Sequence, residues 1–162
     1  MPMKRHILRT IVTVALLTVT LCANGTSPAT AQSTQSKGQT LYVPIYSHIY
    51  SGNREHPIYL AATVSIRNTD PIHAIQLVTV DYFNSEGKLL KRYLKKTVTL
   101  KPMASTRYIV SESDKAGGSG ANFIIRWESD EPVNAPITES IMISTASQLG
   151  ISFTSRGQVV KE

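Results

Sequence analysis

Between Ala62 and Arg67 apolar and polar side chains alternate without a break. Leu60, Ala62, Val64 and Ile66 fall on one face, while Thr63, Ser65 and Arg67 fall on the other. A period of two marks an extended strand with one buried and one wet face. No segment of the chain shows sustained apolar spacing at the 3.6-residue period of a helix. The chain is therefore expected to fold through sheets.

The same alternation recurs along the sequence. Residues 58–68 and 75–83 form the two longest expected strands. In the second, Val78, Val80 and Tyr82 take one side and Leu77, Thr79 and Asp81 the other. Residues 122–128 present Phe123, Ile125 and Trp127 on one face. Shorter strands are expected at 41–46, 89–94, 97–100, 105–111, 138–145 and 151–155. Residues 68–71, 84–87 and 101–104 read as turns, and 51–57, 114–120 and 130–136 as loops, from their Gly, Pro, Asn and Asp content. Pro44 cannot donate a ladder hydrogen bond, so residues 41–46 should be an edge or broken strand, open to strand addition by a partner. Eight or nine short strands at this spacing predict an all-β fold, an immunoglobulin-like β-sandwich. Trp127 is its expected core anchor.

The first 31 residues have a different character. Lys4, Arg5 and Arg9 precede an apolar run, residues 11–21, and Ala29 and Ala31 bracket a small-x-small cleavage site. This is the pattern of a secretory signal peptide, with Gln32 as the new N-terminus. Three of the 17 basic residues lie in that segment and none of the 11 acidic ones, so the formal charge falls from +6 to +3 on cleavage. A surface so close to neutral argues against nucleic acid as a partner. The apolar run is short of the ~20 residues a membrane-spanning helix needs, and no second apolar run follows. Cys22 is the one cysteine. Lipidation there is disfavoured because Leu21, not a small residue, precedes it, and cleavage leaves a protein without thiols. Polar residues 32–38 read as a disordered lead-in to a single domain over 39–162.

Four strings carry a resemblance: YVPIYSHIY at 42–50, SIRNTD at 65–70, GGSGANF at 117–123 and GISFTSRG at 150–157. Together they resemble the bacterial domain of unknown function 3124. The resemblance spans nearly all of the expected domain and implies a bacterial exported protein. It implies no activity, substrate or catalytic residue.

Candidate sites follow from the residues alone. Tyr46, His48 and Tyr50 share a face of an extended chain and could stack a sugar. Residues 117–120 could cradle a phosphate through backbone N–H groups, but such loops precede a helix and a strand follows here. Asn122 could pin that loop, with Ser119 at its tip, and Arg156 could clamp a carboxylate. A hydrolase would need His48 with Ser119 or Ser152, and no nucleophile elbow accompanies them. His56 and His73 have no metal-ligand spacing, and the carboxylates at 128–131 match no calcium loop. The expectation is a non-enzymatic binding or assembly module of the cell envelope, without metal or cofactor. Its partner is an envelope protein or a small ligand. The alternative is a small-ligand or glycan binder using Tyr46, His48, Tyr50, Ser119, Asn122 and Arg156, and a hydrolase stands behind both.

Overall fold

A computed structural model describes residues 35–53, 55–144 and 150–162. The expected signal peptide, with Cys22, lies outside the described residues. The described chain is all-β. Its strands are β1 (Gln35–Pro44), β2 (His48–Tyr50), β3 (Pro57–Tyr59), β4 (Ala61–Arg67), β5 (Ile75–Phe83) and β6 (Leu89–Arg92), then β7 (Val98–Leu100), β8 (Ser105–Val110), β9 (Asn122–Asn134), β10 (Ile137–Ser144), β11 (Ile151–Arg156) and β12 (Gln158–Lys161).

All pairings are antiparallel. One sheet runs β12-β1-β9-β5-β6, with β7 also on β5; a second runs β11-β10-β4-β8; β2 and β3 form a separate ribbon. Leu41, Val43, Leu77, Val80, Phe123, Ile125 and Trp127 of the first sheet are buried in one core with Ala62, Val64, Ile66 and Met142 of the second. Burying that much aliphatic and aromatic surface is the main force holding the fold.

The apolar face of β4 survives as read, with Ala62, Val64 and Ile66 all buried, but Ser65 of the expected wet face is buried as well, between β8 and β10. The expected strand at 58–68 is nevertheless cut at Leu60. Residues before the cut pair with β2, where His48 faces Tyr59, and residues after it pair with β8 and β10. In β5 the two expected faces do not hold. The register slips between Leu77 and Thr79, so Leu77 and Val80 both point into the core. A β-bulge inserts one residue and reverses the alternation beyond it.

Three further expectations are corrected. Residues 35–38, read as a disordered lead-in, belong to β1: Gln35 pairs with Asn134 and Gly38 with Glu128. Backbone pairing does not need apolar side chains. Residues 130–134, read as loop, continue β9 to Asn134 despite Pro132. Residues 41–46 are not a free edge. β1 lies between β9 and β12, with Leu41 paired to Ile125 on one side and Val159 on the other, and Pro44 simply ends the strand.

β12 was not expected at all. It is reached through a corner at Gly157, whose N–H donates to the Thr138 carbonyl at 2.9 Å. A Cβ there would stand 3.2 Å from Val43 Cγ2 and 3.3 Å from the Thr138 oxygen. Glycine lets the chain pass that close and carry on from β11 in one sheet to β12 in the other. This corner shapes the hollow described below.

Candidate functional site

The aromatic residues of 42–50 do not form one platform. Tyr46 turns to Phe153 of β11, edge-on with centroids 5.7 Å apart. His48 sits edge-on to Tyr50 at 84° and to Tyr59 at 69°. Its Nε2 lies 3.3 Å from the Tyr50 hydroxyl. A sugar needs a flat exposed face, and of these rings Tyr50 alone is mostly exposed. The hydrogen-bonding ring nitrogen of His48 thus faces a tyrosine, not a serine.

The glycine-rich loop is drawn close to this segment by the backbone. Ile45 N–H donates to Ala121 at 2.9 Å and Ser47 N–H to Gly118 at 3.0 Å, extending the β1–β9 pairing past Pro44. On the other side Ser85 holds the loop. Its N–H and hydroxyl both donate to the Gly117 carbonyl, and its Oγ accepts the Gly120 N–H at 2.9 Å. That amide has no freedom to meet a phosphate. Gly117 is required by close approach, since a Cβ would collide with the hydroxyls of Tyr82 and Ser47. Burial pushes the Tyr82 phenol above its ordinary pKa, against the pull of the Ser47 bond. Asn122 is nearly buried between Pro44 and Phe83 in the sheet, and Ser119 stays partly exposed in the loop. Tyr46, His48, Ser119 and Asn122 therefore belong to one end of the fold, held mainly by structural bonds.

A second knot gathers around the SIRNTD string. Asn68 Nδ2 donates to the carbonyls of His73, Leu100 and Lys101 at 2.8, 3.2 and 3.0 Å. Its Oδ1 accepts the Asp70 N–H. Asp70 Oδ1 accepts the N–H groups of Ile72 and His73, and Oδ2 that of Asn134. Those bonds, led by the His73 amide, hold the Asp70 carboxyl down to about 2. The knot ties the β4–β5 turn to β9, so its chemistry is structural.

Arg156 is elsewhere. It faces Glu139 across the β10–β11 pair, but Glu139 is held by Arg67 at 3.6 Å. Arg156 lines a hollow of about 640 Å³ that none of Tyr46, His48, Tyr50, Ser119 or Asn122 touches. The walls are largely apolar: Leu41, Pro136, Ile137 and Val159. Two nearly buried polar residues also line it, Gln39 and Thr138, each 5% exposed. Gln39 Oε1 and Thr138 Oγ1 are enclosed yet have no hydrogen-bond partner. Gln39 Nε2 reaches Glu162 at 3.3 Å.

Gln39 and Thr138 were missed as site residues. The signal was present: Gln39 shares the inward phase of Leu41 and Val43, and Thr138 that of Ser140 and Met142. A polar side chain at a core-facing position is a question to be answered. Ser140 answers it by donating to the Pro44 carbonyl at 2.6 Å. The other two do not.

Among the described residues no three His, Cys, Asp or Glu side chains converge as metal ligands. Nor is any helix there long and apolar enough to cross a membrane. The fold and the hollow define a small antiparallel all-β protein with a mixed polar and apolar recess at one corner. The chain belongs to the family of proteins of unknown function DUF3124, whose family model matches residues 38–160. No curated protein matches it. It is similar to the crystal structure of Thermotoga maritima 1070, with 15% identity and a TM-score of 0.45, over 74% of this chain and 92% of that one.

Proposed function

We propose that this chain is exported and works in the bacterial cell envelope as a non-enzymatic binding module, an immunoglobulin-like β-sandwich whose ligand site is the hollow beside Arg156. The leader sequence with its small-x-small site supports export. The common core of the two larger sheets supports the sandwich. The observation that carries the binding role is the hollow itself, about 640 Å³ with Leu41, Pro136, Ile137 and Val159 as apolar walls and the exposed Arg156 among its lining residues.

The test is to express the full chain in a bacterial host and follow where it goes. The expected product has the mass of residues 32–162 and leaves the cytoplasm. By native mass spectrometry it should take up a small molecule from envelope extract, and a Q39L/R156Q double variant should not. Retention of the leader in a cytoplasmic product would overturn export. Equal uptake by the variant would overturn the site.

A further inference from the structure

The knot around the SIRNTD string also locks two turns side by side. The Asn68 N–H donates to the Ala104 carbonyl at 2.9 Å, and the Met103 N–H to the Asp70 carbonyl at 3.1 Å. The β4–β5 turn thus lies against the β7–β8 turn, residues 101–104, which is closed by the Ala104 N–H on the Lys101 carbonyl. Each turn offers solvent one large apolar side chain. Ile72 is 74% and Met103 69% exposed, the two highest values for large apolar side chains among the described residues. Met103 also has a φ of 57°, and among the described residues every other positive φ belongs to a glycine. That left-handed position after Pro102 ordinarily takes glycine. Holding a methionine there costs backbone strain, which marks a position kept for what its side chain does.

The chain enters the fold at this end: Gln35 pairs with Asn134, whose N–H donates to Asp70 Oδ2. The leader, with its apolar run at 11–21, is therefore joined to the domain beside the two turns. On the export proposed above, that run brings this end of the domain to the membrane first; the exposure, the strain and the charge are independent of export. Residues 88–107 carry seven basic side chains and no acidic one, and all seven are exposed. Among the described residues only Arg92 of the seven makes an ion pair, with Asp81 at 3.8 Å. β6 and β8 end the two larger sheets, and they come together where Tyr93 donates to the Ile109 carbonyl and packs on Tyr108. The cations therefore line one flank, and Lys101 carries it to the turn of Met103. Asp130 and Glu131 lie on the other side, past Ile72. Two projecting side chains offer far less than the roughly 800 Å² per partner that a stable protein interface buries. A bilayer needs no matching shape, takes up apolar side chains, and attracts lysines when its lipids are anionic. We propose that this end of the domain docks on an anionic phospholipid bilayer, with Ile72 and Met103 inserted and Lys101 at the headgroups. The contact does not involve the hollow beside Arg156, so either can fail alone.

The experiment sediments the protein, expressed from the full chain, with vesicles of phosphatidylethanolamine and phosphatidylglycerol, and with vesicles of phosphatidylcholine alone. The parent should bind the anionic vesicles and prefer them over phosphatidylcholine. I72S and M103G should each bind about tenfold more weakly, for the loss of one buried apolar side chain. K101Q should bind about fivefold more weakly, the factor for one lysine at an anionic surface. M103G should melt no lower than the parent, because glycine suits the left-handed backbone, so its weaker binding does not come from unfolding. In a C22S background, a polarity-sensitive fluorophore on M103C should shift to the blue with anionic vesicles, and the same label on E86C, in the β5–β6 turn, should not. That readout is local to Met103 whatever precedes Gln35. Equal binding to phosphatidylcholine would overturn the anionic surface. An unshifted label at position 103, or variants that bind as the parent does, would overturn the docking. So would self-association by light scattering that I72S/M103G abolishes in a protein that ignores vesicles, since a second copy would then cover the two turns.

Discussion

Asp70 and His73 are joined twice. The Asp70 Oδ1 accepts the backbone N–H of His73 at 2.7 Å and lies 3.2 Å from the His73 ring Nδ1. The carboxylate is thereby the hub of the turn after β4. It also reaches Asn134 at the far end of β9. A charged acceptor holding several N–H groups is stabilised in its ionised form.

The pH dependence of stability follows in sign. The Asp70 carboxyl is lowered from 3.8 to about 2 in the folded state. Its contribution is complete above the unfolded value and is lost as pH falls through the folded one. D70N keeps the shape and removes the charge. It should melt below the parent at neutral pH, with the gap closing between pH 3.8 and about 2. Thermal unfolding at a series of pH values checks this. A gap that stays constant down the series would mean that the charge of Asp70 does not contribute.

Gly117 tests the structural reading of the glycine-rich loop. Its missing Cβ makes room for the hydroxyls of Tyr82 and Ser47 and leaves Ala121 Cβ only 2.9 Å from the site. Tyr82 is 1% exposed and stacks on Phe123 at 5.3 Å, so it has little space to yield. G117A should cost about 1–3 kcal/mol, the usual penalty of overpacking. Denaturant unfolding measures it. A Y82F/G117A double variant, which removes one of the colliding hydroxyls, should recover part of the loss.

Tyr93 sets the alkaline limit. Its hydroxyl donates to the Ile109 carbonyl at 2.9 Å, and its ring packs on Phe123 and Tyr108. Burial, more than the neighbouring Tyr82 and Asp114, pushes the phenol up to about 12. The folded value is raised above the unfolded one. The stabilisation is therefore present below pH 10.0 and is lost as pH rises toward about 12. Of the seven tyrosines, Tyr93 should contribute a step near pH 12 to the phenolate absorbance titration, and Y93F should remove that step. A titration unchanged by Y93F would overturn the assignment.

How far the sequence foretold these features depends on which interactions set them. β4 was readable because its alternation is set by a single sheet face, and Ala62, Val64 and Ile66 keep it. β5 was misread at Leu77 because a bulge is a pairing event with β9, and no residue in β5 announces it. The pairing of residues 35–38 was invisible for the same reason: it depends on β9 running on to Asn134. β12 follows a corner at Gly157 whose need for glycine comes from Val43, distant in sequence. Arg156 was picked for its chemistry and does line a recess. Its companions, Gln39 and Thr138, were hidden because a polar residue at a core-facing position is ordinarily satisfied, and only three-dimensional placement shows that these are not.

That distinction can be measured within one strand. Ser140 and Thr138 lie two residues apart on the inward face of β10. The Ser140 hydroxyl donates to the Pro44 carbonyl at 2.6 Å, while Thr138 Oγ1 has no partner. S140A removes the donor and strands a carbonyl, so it should cost about 1–2 kcal/mol. T138V exchanges an unpaired hydroxyl for a methyl of nearly the same shape on an apolar wall. It relieves a buried polar group and adds a residue well suited to a strand, so it should stabilise the ligand-free protein by about 1 kcal/mol. Melting curves of the two variants should shift in opposite directions from the parent. If both variants melt lower, Thr138 Oγ1 is hydrogen-bonded in solution and the reading of it as an unpaired group is overturned.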